Sequence, residues 1–455
     1  MTLYQNNNVN RLLASTQNTT IIWDRLAEMT DLYGHRITGS KALEDSIDWI
    51  QKQAKKDGLT TYTQKVTADY WQRNEESLVY HSPTRGDVKL NFLGLGRSIG
   101  TPKHGITAEV ITVVSKDDLK QKGEKGELSE KIVLCNFPWT GYGAASNIRQ
   151  NCAFLSEKYG AVAALVRAAT PFSINTPHTG VMRESKIPGA VVTYEDAQML
   201  TRIQERARKS DNINCNIYKK PKLTLKMGAT LKKGKAKTRN LILEIKGSEK
   251  PNEIVIVSGH IDSWDVGVGA MDDAAGAFIG WEVLRQISNL NIKPRRTIRA
   301  IFWVNEEAGT AGGEAYYKEN INNLDNHILA MESDSGTFEP YGFYFAGNKE
   351  ATAIFSSIGK DLLGHTTFGN VVESDDSDED ISPLCARGIP SASLYSKAAN
   401  NSTLSYFTFH HSAGDRMEVL KPEQLAKNAA MTAGFIYSVA DLKEALPKTI
   451  VPESN

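Results

Sequence analysis

The apolar run IVIV, residues 254–257, gives way almost at once to GHIDSWDVGVGAMDDAAG, residues 259–276. His260, Asp262, Asp265, Asp272 and Asp273 stand there among glycines and small residues. A short apolar run bounded by turn residues reads as a strand buried on both faces, and these ionisable groups fall where that strand ends. A rigid strand, a short loop and glycines that let the backbone pass close to an ion suit metal-binding side chains. A chain with this segment has to bring a sheet end against a polar site, which points to an enzyme.

The surrounding text extends the pattern. Residues 240–245 and 254–257 read as strands, 274–287 as a helix, 300–304 as an apolar strand and 314–320 as a helix, and 327–331 leads into Glu332-Ser333-Asp334. Apolar strands alternating with helices predict a mostly parallel central sheet with helices on both faces, a three-layer α/β/α domain. Ligands in such folds bind beyond the carboxyl ends of the strands. Ahead of this section, 95–235 is a string of short β-rich runs (106–114, 131–134, 223–227) with one helix near 149–158. A chain of 455 residues is long for one core. The expected division is therefore a first catalytic segment at 1–94, an inserted β-rich domain at 95–235 and a second catalytic segment at 236–455. In the first segment, Leu43, Ile47 and Ile50 space a helix over 41–58.

Four segments supply donors for a metal: His260 with Asp272, then Asn305-Glu306-Glu307 after IFWV, then Asp334, and finally His410-His411. Mixed imidazole and carboxylate donors suit zinc, cobalt or manganese. Carboxylates outnumber histidines, so two ions could share a bridging carboxylate, a recognised hydrolytic arrangement. Side chains of adjacent residues diverge, so one of Glu306 and Glu307 can hold metal while the other moves a proton. Asp262, two positions from His260, could accept the imidazole's second N–H.

Other features narrow the function. With 53 basic and 53 acidic residues there is no electrostatic reason to expect nucleic acid or an anionic membrane as a partner. The basic run 232–239 reads as a solvated turn. The acidic run VVESDDSDED, 371–380, reads either as a solvated loop or as one that brings Asp380 toward the site. Cys135, Cys152, Cys215 and Cys385 have no CxxC spacing, and both bridges and free thiols remain open. No run of 18 apolar residues and no signal-peptide pattern is present, which leaves the cytosol open as a compartment. Acceptor sequons at 18–20 and 400–403 tilt the other way. Dinucleotide and P-loop fingerprints, HExxH and a serine-hydrolase nucleophile elbow are not expected.

Taken in order, GHIDSWDVGVGAMDDAAG, NEEAG, MESDSGTF and FHHSAGD resemble the di-zinc exopeptidases of the aminopeptidase and glutamate-carboxypeptidase group. YGHRITGS (33–40), FLGLGRSIGTP (92–102), SINTPHTG (173–180) and LKMGA (225–229) carry the resemblance through most of the chain. It implies a catalytic zinc-exopeptidase domain with an inserted protease-associated domain, and two Zn2+ per chain. By the same likeness His260 and Asp334 hold one ion, Glu307 and His411 the other, and Asp272 bridges both. Glu306 is then the general base and Asp262 the aspartate behind His260. Tyr395 and Tyr406 are candidate donors to an oxyanion. The likeness further implies hydrolysis of unblocked dipeptides, a homodimer, and a secreted or lysosomal location. An aminopeptidase for longer peptides and a non-catalytic binding protein on the same fold are the competing readings.

Overall fold

In the computed structural model, residues 7–171, 175–209, 217–363, 369–397 and 405–450 are described. Cys215 and the sequons at 400–403 lie outside them. The chain forms two compact units: Met1–Ala68, Ala236–Tyr406 and Gly414–Asn455 make the first, and Asp69–Lys235 with Phe407–Ala413 the second.

The first unit is built on the Lys250–His260 strand. Parallel strands flank both of its edges, Val257 pairing with Ala300 on one side and with Met331 on the other, and its apolar residues are buried because helices cover both faces. Ile254 and Ile256 join Ile301, Trp303, Tyr316 and Leu384 in one cluster. Tyr316 comes from the Ala311–Asn320 helix and Leu384 from the Ser382–Cys385 helix, so these cover that face. The alternate residues face the Ala275–Asn289 helix, where Phe278 packs edge-on to Phe302 and Gly280 lies against Val257. The Pro422–Asp441 helix packs beside it. Helices on both faces of the sheet make the expected three layers.

Among the described residues eight strands form this sheet, in the order Thr60–Gln72, Thr230–Ile245, Arg296–Trp303, Lys250–His260, His327–Glu332, Ser391–Lys397, Glu339–Ala346 and Asn370–Glu373. The centre is parallel. The pairings of Thr230–Ile245 with Arg296–Trp303 and of Glu339–Ala346 with Ser391–Lys397 are antiparallel. The predicted helix over 41–58 is the Lys41–Lys56 helix, with Ser40 Oγ accepting from Leu43 N as its cap.

The second unit departs from the sequence expectation in two respects. It begins at Asp69 rather than 95, because Glu76–Ser82 and Phe92–Gly94 pair with Lys222–Met227 and Gly189–Val192 in its own sheet. It also holds more helix than predicted. Strands Ile106–Val113, Ile132–Cys135, Ala163–Arg167 and Gly189–Val192 are parallel neighbours. Lys116–Glu124 and Tyr142–Glu157 contribute to one core cluster, and Tyr194–Lys209 to another. The helices at either end of this series are short of apolar residues. Lys116–Glu124 buries Leu119 and Gly123, and Tyr194–Lys209 buries Ala197, Leu200 and Ala207, which is too sparse a stripe to read as helical period.

Cys135 and Cys152 are joined by a disulfide across 17 positions, while Cys385 is a free thiol. Closing a loop of this length stabilises a fold by roughly 3 kcal/mol. The double variant Cys135→Ala/Cys152→Ala should therefore lower the unfolding midpoint of the second unit's transition in calorimetry. An unchanged midpoint would mean that the bridge does not form. Among the described residues no helix is long and apolar enough to cross a membrane.

Candidate metal centre

Strand register places the donors of the first unit. His260 pairs with Trp303, and Ser258 with Glu332, so three neighbouring parallel strands end at nearly the same level. His260 is the last residue of its strand. Glu306 and Glu307 open a short helical turn after Asn305, whose φ of 69° is left-handed. Asp334 follows the His327–Glu332 strand by two residues, and Asp272 comes from the turn before the Ala275–Asn289 helix. That helix closes tightly on the strand ends. A Cβ on Gly276 would collide with Ser333 O and the Asp273 carboxylate, so a glycine is needed at this position.

His260 is fully buried. Its Nε2 lies 3.2 Å from Asp272 Oδ1 and 3.8 Å from both Glu306 Oε2 and Asp334 Oδ1. Among the described residues of the first unit, two sets of donor atoms are close enough to share an ion: His260, Asp272 and Glu307, and His260, Glu306 and Asp334. Glu306 and Glu307 thus diverge, as adjacent side chains in a helical turn do. Asp262 does lie behind His260, but the imidazole Nδ1 is 3.0 Å from the Asp262 carbonyl oxygen and 3.8 Å from its carboxylate. The carboxylate instead accepts from Glu306 N at 3.1 Å and Thr38 Oγ1 at 3.1 Å, which ties the proton-transfer candidate to the histidine loop. Glu307 Oε1 accepts from Trp264 N at 3.2 Å.

Further residues surround this set, and of these Glu332 and Asp415 were given no role from the sequence. Tyr406 Oη donates to Asp334 Oδ1 at 2.9 Å, so of the two candidate tyrosines it is the one at the donors. Tyr395 packs with Tyr341 and Tyr344. Glu332 Oε2 accepts from the amides of Asp380 and Ile381, which turns the end of the acidic run inward, while Asp375 and Asp376 stay exposed. Asp380 is buried, and its Oδ1 accepts from Gly313 N. Asp415 accepts from three successive amides, Ala270, Met271 and Asp272. Asp265 does not join either donor set. The string GRSIG, 96–100, has the spelling of a nucleophile elbow, but Ser98 is fully buried, and its Oγ accepts from Gly189 N and donates to Ile99 O.

His411 packs in the second unit. It follows the Tyr406–Phe409 turn with φ 58°, its Nδ1 is 3.2 Å from Thr179 O, and its ring stacks on His410.

The electrostatics favour cations in the first unit's site. Burial, reinforced by neighbouring carboxylates, pushes Glu306, Glu307, Glu332 and Asp380 well above the usual carboxyl range. Asp378 is raised to about 8 by burial and Asp334. Burial alone would depress His260, yet Asp334, Asp272 and Glu306 hold it well above the ordinary imidazole value. Asp273 Oδ1, Glu332 Oε1 and Asp380 Oδ2 are buried without a hydrogen-bond partner among the described residues. Carboxylates gathered out of water need protons or positive charge. One imidazole with several carboxylate oxygens is a donor set that fits zinc or a similar divalent ion.

A model of peptidase family M28 matches residues 240–436. Carboxypeptidase Q of Bos taurus is 42% identical over 94% of this chain and 87% of its own length, and that of Homo sapiens is 40% identical over the same shares. A peptidase M28 precursor from Shewanella amazonensis superposes with a TM-score of 0.86 at 29% identity, covering 98% of both chains. BSAP, a zinc aminopeptidase from Bacillus subtilis, shares the fold at 18% identity, with a TM-score of 0.70 over 94% of this chain and 98% of its own.

Proposed function

Because the chain belongs to peptidase family M28, alongside the carboxypeptidase Q relatives, we propose that it is a di-zinc exopeptidase that hydrolyses unblocked dipeptides. The convergence of His260, Asp272, Glu306, Glu307 and Asp334 at the ends of adjoining strands and turns carries this reading. In it, His260 and Asp334 would hold one ion and Glu307 and His411 the other, with Asp272 available to both. Bound zinc supplies Lewis acidity toward a carbonyl oxygen and lowers the pKa of water.

The chain's own residues do the rest. Glu306 takes a proton from the attacking water at its carboxylate and returns it to the leaving amine. Asp262 keeps Glu306 in place through the Glu306 amide, and its carbonyl fixes the His260 tautomer by accepting from Nδ1. Tyr406 holds the Asp334 carboxylate in one rotamer. His260 and Asp262 are buried, whereas Glu306 and Asp334 are half-buried and so remain within reach of substrate and water.

The fold shared with BSAP supports a second reading, an aminopeptidase for longer peptides. An unblocked dipeptide, its C-terminal amide and a tripeptide separate the two. A dipeptidase should cleave the free dipeptide with a kcat/KM at least about tenfold above the others, because recognition of a free carboxylate is then built into the site. Equal rates on all three would replace the dipeptidase reading with the aminopeptidase one.

The exposed acids Glu373, Asp375, Asp376 and Glu379 lead directly into the buried Asp380. An acidic rim disfavours acidic side chains. Lys-containing dipeptides should be turned over about tenfold faster than Glu- or Asp-containing ones at low salt, with the gap narrowing as ionic strength rises. Equal turnover across the panel would rule out this preference. The remaining expectations join the proposal: small peptides as substrates, no nucleic-acid or membrane partner, a homodimer, and a secreted or lysosomal location. The Cys135–Cys152 bridge supports such a location, since oxidising compartments preserve disulfides.

A further inference from the structure

The turn that carries Asp272 is gripped from two sides by groups that hydrogen-bond to its backbone. Arg36, on the segment before the Lys41–Lys56 helix, is completely buried. Its guanidinium donates to four backbone carbonyls: Nε to Ile261 at 2.7 Å, Nη1 to Gly34 at 2.9 Å and Val268 at 2.6 Å, and Nη2 to Gly269 at 2.8 Å. Arg36 N donates to Ser263 Oγ, and Arg36 O accepts from Ser263 N, so the main chains are tied as well. Across the same turn, Asp415 takes the N–H groups. Its Oδ1 accepts from Ala270 at 3.1 Å and Met271 at 2.8 Å, its Oδ2 from Asp272 at 3.2 Å, and its carbonyl from Val268 N at 2.9 Å.

We propose that Arg36 and Asp415 form a two-sided backbone clamp that sets the 268–272 turn, and with it the Asp272 carboxylate, before any metal arrives. The inference rests on the proposed metal site for its purpose, but the clamp itself is a property of the metal-free chain. The physical case is an accounting one. The helical N–H bonds of this stretch begin only at Ala274 and Ala275, which donate to Gly269 O and Ala270 O, so the buried amides before them have to be satisfied one by one. Here a cation takes the carbonyls of 268 and 269 and an anion takes the amides of 270, 271 and 272. The two charges offset each other across the strip of backbone they hold. A planar guanidinium is suited to this task, since its rigid fork reaches several acceptors at once, whereas an ammonium has three donors at a single point. Arg36 and Asp415 are thus positioning residues. They act on substrate chemistry through the placement of Asp272.

Hydrogen exchange on the metal-free protein, followed at individual amides, tests this without relying on zinc or on peptide cleavage. In the wild-type chain the amides of Ala270, Met271 and Asp272 should exchange as slowly as those of the Lys250–His260 strand. Exchange at the rate of an open loop would overturn the proposal. Asp415→Asn, an isosteric change that leaves one acceptor oxygen, should speed exchange at these three amides by about 10–100-fold while the Ala275–Asn289 helix amides keep their rates. Arg36→Met should do the same, and Arg36→Lys should restore part of the protection. A general acceleration throughout the unit would mark a plain stability effect and reject the clamp. So would unchanged exchange at 270–272 in Asp415→Asn. Zinc affinity by competition with a chelator gives a second readout. Asp415→Asn should weaken it about 10–100-fold, as expected when the groups supporting a ligand are lost. Loss of zinc binding with normal exchange at 270–272 would count against the clamp while leaving the metal assignment standing.

Discussion

Glu306→Gln should lower kcat for an unblocked dipeptide by about 10²–10⁴-fold, the usual worth of a positioned general base, and leave the metal content unchanged. Glutamine has the same shape and keeps the Glu306 amide bonded to Asp262 Oδ1, so the turn has no reason to move. What it lacks is a carboxylate able to take a proton. The outcome is not trivial, because Glu306 Oε2 is no farther from His260 Nε2 than Asp334 Oδ1 is, and both belong to one potential donor set. If Glu306 were a ligand rather than a base, the variant would lose activity and metal together. Kinetics paired with metal analysis on the same preparation therefore decide the role. Equal loss of zinc would move Glu306 from proton carrier to ligand.

Removing the metal should abolish dipeptide hydrolysis, with zinc restoring it, and should also reverse the pH dependence of stability. In the metal-free chain, burial and neighbouring acids raise Glu306, Glu307, Glu332 and Asp380 well above the ordinary carboxyl value, Asp415 to about 7 and Asp378 to about 8. Above the unfolded carboxyl pKa of about 4, the folded chain then binds more protons than the unfolded one. Its stability must fall as pH rises, until the raised values are passed. His260 acts in the same sense, since its raised pKa is a folded-state preference for the proton that is lost on going alkaline. The apoprotein should melt lower at pH 8 than at pH 5.5, by about 5 °C or more. The zinc-loaded protein should slope the other way, because the ligands must be deprotonated to hold metal. An apoprotein equally stable at both pH values would mean that the acids do not crowd as described.

The site donors were legible where they follow a strand that is apolar throughout. His260, Glu306, Glu307 and Asp334 each lie within a few residues of such a run, and burial on both faces of a central parallel strand is what makes the run continuous. Arg36 and Asp415 were quoted within larger motifs but given no role. Their partners are backbone atoms, and a contact between a side chain and a distant peptide group leaves no periodic trace. The start of the second unit was misplaced for a related reason. Thr60–Gln72 is a single strand that runs past the boundary at Asp69 with no change in composition. The inward turn of the acidic run at Asp380 depends on the Glu332 carboxylate, another pairing of side chain with remote main chain.

The registration of three strand ends at one level also bears on when the protein can take up metal during its synthesis. The Lys250–His260 strand is flanked by Arg296–Trp303 and His327–Glu332, so its end is not framed until the ribosome has released both. Pairings between distant segments form late because loop closure has to precede them. A nascent chain therefore offers scattered acids rather than a chelate, and loading becomes a step after folding, governed by the zinc available in the compartment where the chain matures.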